Sequence, residues 1–394
     1  MPVERLASAP HVPLPARKRA TPVILFLHNR YRVTGGEERA VDDLLWLVRE
    51  RLGEDAELLA RDSAALGRAR AAIGMLRGGL DPGDVAAAVR RTGARVVHAH
   101  NLNPSLGWRA LAAARAAGAR VVLHLHNYRL VCAVGTCFNS LGEDCTRCRG
   151  RDTLPGIRLN CRGTGAEAAV YGAGLALWQR RLATQADAVL VPSAFAARRL
   201  AELDAPVDAA SVTVLPHAVR EIGEGPSRAA AGAHVLVASR LAPEKGVEVA
   251  IDACAAARLP LMIAGDGPRA GALQQRAAAS GADVRFAGAV GAAELARLRA
   301  GAALALVPSL SAETFGLAAA EAMADGVPVV ATAVGALPEL VDPGGLAPPG
   351  DADALGAAAR ARFGDAAAGE AGRERIRALA APEAVAPRLA AVYG

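Results

Sequence analysis

Short apolar runs rich in β-branched residues alternate with alanine-rich stretches of helical length along nearly the whole chain. This alternation limits the fold more than any other feature, because it is typical of parallel sheets connected by crossover helices. The runs predicted as strands are residues 23–27, 96–99, 120–125, 188–191, 212–215, 235–238, 261–264, 284–287, 303–307 and 327–331. Helices are predicted between them, for example over residues 37–52, 105–117 and 167–184.

The alternation stops once, between residues 217 and 232, where Arg, Glu, Gly, Pro and Ser replace the periodic apolar positions. This segment is the predicted linker. It separates an N-terminal domain, residues 21–216, from a C-terminal domain, residues 233–394, and residues 1–20 are predicted to form a flexible arm. The fold class is therefore α/β, with two Rossmann-like, doubly wound parallel-sheet domains that face each other across a cleft.

Composition excludes several classes of protein. With 52% hydrophobic residues and six cysteines in 394 residues, the chain is neither disordered nor a disulfide-dense miniprotein. Its apolar runs are far shorter than the ~20 residues of a membrane span, and no signal-peptide core precedes the first strand, so we expect a cytoplasmic protein. A net charge of +6 favours an acidic partner, but 3% aromatic residues argue against base stacking on single-stranded nucleic acid.

Three His-Asn pairs each end an apolar run of the first half: His28-Asn29, His100-Asn101 and His126-Asn127. Because ligands of open parallel sheets bind beyond the carboxyl ends of the strands, we expect the pairs to meet at one crevice. One such histidine is more often structural, but three at equivalent positions favour a binding site. Gly35 and Gly36 follow the first strand and leave free N–H groups at a helix start.

Five of the six cysteines lie between residues 132 and 161. Without Cys137 they form a C-x12-C-x2-C-x12-C pattern, whose members are Cys132, Cys145, Cys148 and Cys161. Two thiols separated by two residues and flanked by two more suit tetrahedral zinc in a structural site. Reduced thiols packed as small apolar side chains, or disulfides in an exported protein, are the alternatives.

Lysine is rare in this arginine-rich chain, which contains Lys18 and Lys245. Lys245 follows the predicted strand 235–238 by a few residues, at the junction with a helix, and Arg240 lies at the strand end. Two cations beside exposed helix amides suit a diphosphate. Two surface cations on a loop are the alternative interpretation.

A second polar segment of the C-terminal half runs from Ser309 into a predicted helix. Thr314 is a candidate N-cap, which would leave the amides of residues 315–317 exposed. Glu313 is then expected at the mouth of the cleft and Glu321 about two turns deeper, where carboxylates can accept hydrogen bonds from sugar hydroxyls. The glycine turn at 264–268 has Gly-x-Gly-x-x-x-Gly spacing with Gly271, which differs from the dinucleotide-binding fingerprint.

These segments in combination resemble the C-terminal domain of retaining glycosyltransferases of family 4, the glycosyl transferases group 1. The residues that carry the resemblance are Ser239-Arg240-Leu241 with Glu244-Lys245-Gly246, Ala264-Gly265-Asp266-Gly267-Pro268, and Glu313 eight residues before Glu321. In the first half, His28-Asn29, Tyr31, Gly35-Gly36-Glu37-Glu38 and His126-Asn127-Tyr128-Arg129 with the cysteines are similar to a bacterial branch that builds surface polysaccharides. The resemblance covers residues 22–365 and implies the GT-B architecture.

The resemblance also implies roles for individual residues. Arg240 and Lys245 would bind the donor diphosphate, Glu321 the ribose, and His126 the donor hexose near the reacting carbon. Glu313 would bind the donor sugar together with the amides of Phe315, Gly316 and Leu317. Further donor contacts are expected from Gly35, Gly36, Gly265, Asp266 and Gly267. His217 occupies a position where many relatives carry asparagine.

The implied function is hexosyl transfer from a nucleotide-diphosphate sugar to a glycan or lipid-linked acceptor, with retention of anomeric configuration. No catalytic cofactor is expected, because cations and helix dipoles meet the diphosphate charge. Arginines at 180–181 and 198–199 favour peripheral contact with anionic lipid at the inner face of the cell membrane, although a solvated helix face explains them equally well. The alternatives are an NAD-dependent oxidoreductase and a zinc-knuckle nucleic-acid-binding protein; nucleic acid is not expected as a partner.

Overall fold

The computed structural model describes residues 23–31 and 35–394. Within these residues the chain forms two six-stranded parallel sheets, each flanked by helices. The predicted α/β architecture with two doubly wound domains is confirmed. The predicted arm, residues 1–20, lies outside the described residues.

The first sheet has the strand order β2-β1-β3-β4-β5-β6. Its strands are β1 Ile24–Arg30, β2 Ala56–Asp62, β3 Val96–Ala99, β4 Arg120–His124, β5 Ala188–Val191 and β6 Val212–Val214. Its helices are α1 Gly36–Arg51, α2 Arg68–Arg77, α3 Pro82–Thr92, α4 Gly107–Ala116, α5 Leu154–Arg158, α6 Gly165–Thr184 and α7 Ala194–Glu202. All strands point the same way, so their carboxyl ends meet at one edge, which faces the second domain.

The second sheet has the strand order β12-β11-β10-β7-β8-β9. Its strands are β7 His234–Ala238, β8 Leu261–Ala264, β9 Val284–Gly288, β10 Ala302–Val307, β11 Val329–Thr332 and β12 Leu346–Ala347. The remaining helices are α8 Val247–Ala257, α9 Ala270–Ser280, α10 Ala292–Ala300, α11 Leu317–Ala324, α12 Leu337–Leu340, α13 Ala352–Arg362, α14 Ala366–Ala380 and α15 Pro382–Tyr393. None of the helices in the described part of the chain is long and apolar enough to cross a membrane.

Two strands were not predicted from the sequence. The first, β2, is an edge strand built from leucine, alanine and charged residues, and it contains no β-branched residue. Its neighbour β1 supplies the pairing partner and so imposes the extended conformation, which local propensity does not favour. The second, β12, is two residues long, which is too short for a periodic pattern.

The last helix returns to the first domain. The domain prediction assigned residues 233–394 to the second domain, whereas α15 buries Leu389 and Tyr393 in the core of the first sheet. The predicted linker, residues 217–232, joins the two sheets, with Ala218 in the first-domain core and Val219 in the second-domain core. There the Val219 N–H donates to the Ala380 carbonyl at 2.9 Å, so the two segments that pass between the domains lie side by side. The alternation of strands and helices does not show on which domain a terminal helix packs.

Tyr393→Phe is expected to destabilise the first domain by about 1–3 kcal/mol. The Tyr393 hydroxyl lies 2.7 Å from His98 Nδ1, and both residues are buried. Without the hydroxyl that ring nitrogen loses its partner, at the desolvation cost of an unpaired polar group. Urea unfolding measures the change. Tyr171→Phe is the control, because it also removes a hydroxyl but keeps the aromatic ring that the Arg162 guanidinium contacts. Equal midpoints for Tyr393→Phe and the parent chain would contradict the expected role.

Candidate active site between the two domains

The second-domain wall of the cleft carries the two predicted cations. Lys245 ends a 3₁₀ turn after β7, and its Nζ donates to Glu313 Oε1 at 2.6 Å. Arg240 pairs with Glu244 and keeps about half of its side chain exposed. The same turn is tied to the 309–313 loop, because the Glu244 carbonyl accepts from Leu310 N at 2.9 Å. The structure therefore brings Arg240, Lys245 and Glu313 together.

Glu313 is a carboxylate held by two donors. Besides Lys245, the Ser309 hydroxyl donates to Oε1 at 2.6 Å. Burial by itself raises the pKa of the Glu313 carboxyl, but the Lys245 charge and these two hydrogen bonds outweigh it, so the pKa is lowered. Glu313 is therefore ionised at neutral pH and keeps Lys245 at the edge of the cleft.

The glycine turn after β8 supports the segment that carries Arg240. Gly265 has a φ of +141°, and a Cβ there would collide with the Ser239 carbonyl oxygen. A Cβ on Gly267 would likewise crowd the Leu241 carbonyl. The two backbones are bonded directly, since Leu241 N donates to the Asp266 carbonyl at 2.9 Å. In this structure Gly265 and Gly267 permit a close approach of two loops, and the Asp266 side chain is exposed.

Gly265→Ala is expected to lower both the melting temperature and the affinity for an anionic ligand, because the Ser239–Leu241 segment must move away. Gly271→Ala is the matched control. It lies in α9 with open space around its Cβ position, so alanine there is expected to be neutral or stabilising by about 0.5–1 kcal/mol. Thermal melting of the two variants checks the pair, and a Gly265→Ala protein as stable as Gly271→Ala would refute the packing role.

Two helix N-termini, one from each domain, face each other in the cleft. Helix α1 begins at Gly36, and a Cβ on Gly36 would lie 3.2 Å from the Leu317 side chain at the start of α11. The N-cap of α11 is Gly316, with a φ of +98°, so the prediction of Thr314 as the cap is wrong. The Thr314 hydroxyl instead donates to the His126 carbonyl at 2.8 Å, across the cleft. The positive ends of both helix dipoles thus point at one small region.

Glu321 lies on α11 between two arginines. Arg39 of α1 approaches Oε1 at 3.2 Å, and Arg299 approaches Oε2 at 3.1 Å. Burial raises the pKa of the Glu321 carboxyl in spite of these cations. Sequence reasoning missed both arginines, because their positions on α1 and α10 show no motif. In the closed arrangement described by the structure, Glu321 takes part in an interdomain ion pair.

His126 belongs to the first-domain wall. Its Nε2 lies 2.7 Å from His100 Nδ1, and its ring stacks on His124 with centroids 4.1 Å apart. His126 also stacks on His217 at 5.0 Å, and His217 meets Phe315 edge-on at 5.2 Å. The strand-end histidines do meet at one crevice, as predicted, and the second domain closes over them.

A continuous column of buried imidazoles lies behind this crevice. Its members are His98, His100, His124, His126 and His217. Burial lowers the pKa of every ring in the column, that of His98 to about 3 and that of His217 to about 4. Adjacent strands explain the arrangement, because His98 and His124 lie on the same face of paired strands β3 and β4. All five rings are therefore neutral at pH 7.

A second carboxylate in the cleft was not predicted as a site residue. Glu37 is buried, accepts from the Tyr31 hydroxyl at 2.6 Å and from Asn127 Nδ2 at 2.8 Å, and burial raises its pKa. The Arg129 guanidinium lies 4.4 Å from the centre of the Tyr31 ring. Glu37, His126, Asn127 and Arg129 line a cavity of about 50 Å³ with Trp108 and Trp178. In the sequence, the position of Glu37 directly after Gly35-Gly36 is the feature that could have identified it as a site residue.

The cysteine-rich loop packs against Arg129, whose side chain would collide with a Cβ on Gly135 of the loop. Cys132, Cys137, Cys145, Cys148 and Cys161 all line one cavity of about 20 Å³, and all are free thiols. This loop follows β4 directly, so its backbone is continuous with His126 and Asn127. The four predicted ligands thus line one cavity together with Cys137, and no three of these thiols, all within the described residues, lie within 4.8 Å of one another.

Two family models match the chain, one in each domain. Residues 60–218 match a glycosyl transferase 4-like domain, and residues 232–365 match glycosyl transferases group 1. An MMP α-(1→4)-mannosyltransferase of Mycolicibacterium hassiacum is 43% identical over 109 residues, 25% of this chain and 26% of that protein. A D-inositol 3-phosphate glycosyltransferase of a Nocardioides species is 53% identical over 68 residues, 17% and 15% of the respective chains.

Solved structures share the whole architecture. Sucrose-phosphate synthase of Thermosynechococcus elongatus superposes with a TM-score of 0.68 at 20% identity, over 94% of this chain and 98% of that one. HepE of Anabaena, solved in complex with UDP, gives 0.61 at 19% identity over the same shares. These likenesses identify the fold, and the family models identify both halves. The first domain therefore matches the glycosyl transferase 4-like domain and the second the glycosyl transferases group 1, in a chain with the GT-B fold.

Proposed function

We propose that the protein transfers a hexose from a nucleotide-diphosphate sugar to a glycan or lipid-linked acceptor, with retention of anomeric configuration. The observation that carries the proposal is the meeting of Lys245, Arg240 and two helix N-termini at one region of the cleft. Such a concentration of positive potential fits a diphosphate without a divalent metal. The UDP complex of HepE, which has the same fold, agrees with this assignment of the donor class.

The proposed reaction needs few protein groups. The acceptor hydroxyl oxygen bonds to the anomeric carbon on the face from which the diphosphate leaves. The bond between the anomeric carbon and the diphosphate oxygen breaks. The departing phosphate oxygen takes the acceptor proton. Arg240 and Lys245 stabilise the charge that develops on the leaving group, and neutral His126 binds the hexose. The products are a glycoside and a nucleoside diphosphate.

The acceptor side of the proposal rests on the first domain. The cavity lined by Glu37, Asn127 and Trp108 opens beside His126, where an acceptor hydroxyl would have to lie. Its volume of about 50 Å³ is small for a whole sugar ring, but its polar lining can hydrogen-bond to hydroxyl groups of an acceptor at its mouth. The resemblance of the first domain to a bacterial branch that builds surface polysaccharides supports an acceptor from the synthesis of cell-surface polysaccharide or glycoconjugate.

Contact with an anionic membrane is part of the proposal for lipid-linked acceptors. Ile73, Leu76 and Leu177 are exposed on α2 and α6, next to exposed Arg77 and Arg180. An apolar face with basic neighbours is suited to a lipid interface. Arg199, expected to contribute, is buried and pairs with Asp144 instead. Co-sedimentation with vesicles containing anionic lipid tests this point, with Leu177→Ser as the variant.

The donor class is tested by thermal melting against UDP, GDP and ADP, their sugar conjugates, NAD⁺ and NADH. A ligand that binds the folded state raises the melting temperature. We expect stabilisation by one nucleoside diphosphate family and its loss in Arg240→Ala. NMR of the glycoside then gives the anomeric configuration. Stabilisation by nicotinamide cofactors alone, or a product of inverted configuration, would overturn the proposal.

A further inference from the structure

We propose that Cys132, Cys145, Cys148 and Cys161 bind one Zn²⁺ ion that fixes the loop beside the acceptor side of the cleft. The first observation is that these four thiols, from three separate parts of the loop, line the same water-sized cavity. All four are free, and three separate turns of backbone bring them there. Four thiolates are the donor set of structural zinc sites.

Close packing around the sulfurs is the second observation. The Cys148 sulfur lies 3.3 Å from the position that a Cβ on Gly156 would take, so the backbone of α5 approaches it directly. Cys132 and Cys148 are both buried, in the same apolar cluster as Tyr128 and Leu200. Burial therefore holds these thiols in place within the loop.

Cys137 supports the site without being a ligand. Its side chain is 1% exposed and lines the same cavity as Cys132. Its carbonyl accepts from Cys145 N at 2.7 Å, which ties the two halves of the loop together. Groups that hold the backbone of ligating residues in place are a regular part of metal sites. The pattern C-x12-C-x2-C-x12-C, which omits Cys137, is then the ligand set.

The loop has little regular secondary structure, and its apolar cluster with Leu200 and Leu203 and the Arg199–Asp144 ion pair hold only part of it. Between the end of β4 at His124 and the start of α5 at Leu154, the described residues form two isolated bridges, Phe138–Asp144 and Arg149–Asp152, and no strand of a sheet. Loops of this length without secondary structure are uncommon in compact domains. Metal binding supplies the folding free energy that a small hydrophobic core cannot.

The histidine column is the competing metal site, and its geometry disfavours it. Ligand atoms of His98, His100 and His124 lie within 4.8 Å of one another, as do those of His124, His126 and His217. However, the rings stack, with interplanar angles of 3° for His98–His124 and 22° for His124–His126, so their in-plane lone pairs do not converge on a point. Thiols of the described loop form no such close triple. Zinc would draw the sulfurs to about 3.8 Å from each other, as tetrahedral Zn–S bonds of about 2.3 Å require.

The test is the metal content of the full-length protein, purified without chelators from cells grown with added zinc. We expect about one zinc ion per chain by plasma mass spectrometry, and about tenfold less in Cys145→Ser and Cys148→Ser. Cys137→Ser and Cys254→Ser are the matched controls, and both are expected to keep the ion. Cys254 is buried in α8 of the second domain, far from the loop.

Cobalt substitution keeps the test decisive if a serine variant fails to fold. Adding Co²⁺ to the zinc-depleted parent chain is expected to give the intense sulfur-to-cobalt absorption of a tetrahedral thiolate site. Three results would overturn the proposal: a parent chain without zinc or a cobalt band, a thiol titration that finds disulfides in the loop, or loss of zinc in Cys137→Ser with retention in Cys161→Ser. None of these measurements depends on glycosyl transfer, so a negative result for zinc does not contradict the proposed function.

Discussion

Lys245→Ala is expected to reduce kcat/KM for the sugar donor by about 100-fold or more. The ammonium donates to the Glu313 carboxylate, four residues before α11 begins, so it is a positive charge close to the proposed site of the departing diphosphate. Removal of one preorganised donor to developing negative charge costs about 10²–10³ in rate. It also leaves Glu313 ionised beside the incoming diphosphate, which adds repulsion to the lost attraction.

Arg285→Ala is the control for net charge, because Arg285 is largely exposed on β9 of the same domain. Arg285→Ala removes one positive charge from the second domain, as Lys245→Ala does. We expect it to change kcat/KM for the sugar donor less than about twofold. Melting temperatures of both variants show whether the domain remains folded. A folded Lys245→Ala protein that binds and uses the donor as well as Arg285→Ala does would exclude Lys245 from the donor site.

Acidification from pH 7.5 to 5.5 is expected to remove several kcal/mol of stability from the first domain. Each of the five column histidines has a folded-state pKa below the ordinary value of about 6.5, so the unfolded chain binds protons that the native rings do not. Stability is therefore greatest well above pH 6.5 and falls as the pH is lowered through that value. A contribution of about 1 kcal/mol from each ring is large in sum against the 5–15 kcal/mol typical of a domain.

Buried carboxylates act in the opposite direction at lower pH. Burial raises the pKa of Glu37, Asp43 and Glu321, so these groups take up protons in the native state before they do so in the unfolded chain. They are three carboxyls against five histidines, and their effect begins at lower pH, nearer the ordinary pKa of a carboxyl. The loss near pH 6 is therefore expected to dominate.

Urea unfolding followed by tryptophan fluorescence measures this effect in the right domain, because Trp46, Trp108 and Trp178 all belong to the first domain. His124→Asn is expected to reduce the pH dependence by about one fifth, whereas His234→Asn, at the half-buried start of β7, is expected to change it much less. A midpoint that stays constant between pH 7.5 and 5.5 would show that the column accepts protons in the folded state.

Local sequence patterns predicted those parts of the fold and the candidate site that depend on local chemistry. The β-branched runs became strands, and Arg240, Lys245 and Glu313, which are separated by up to 73 positions, met because each follows a strand of one parallel sheet. Strand β2 escaped prediction because its conformation comes from its neighbour β1. The N-cap at Thr314 was wrong because a contact across the cleft, to the His126 carbonyl, takes its hydroxyl.

Interdomain partners were the part that no local pattern could supply. Arg39 on α1 and Arg299 on α10 pair with Glu321 from positions that carry no motif. Whether a charge on a helix faces solvent or a second domain depends on how the two sheets are oriented. That orientation is set by contacts hundreds of residues apart, such as Tyr393 with His98.

The chain crosses between the domains twice, at residues 217–232 and again where α14 gives way to α15, and the two crossings are hydrogen-bonded through Val219 and Ala380. A single covalent connection would let the domains twist about it in any direction. Two adjacent connections define an axis, and rotation about that axis is the motion that stretches neither of them. An opening of the cleft about that axis would move Thr314 and the α11 N-terminus away from His126 and return them along the same path.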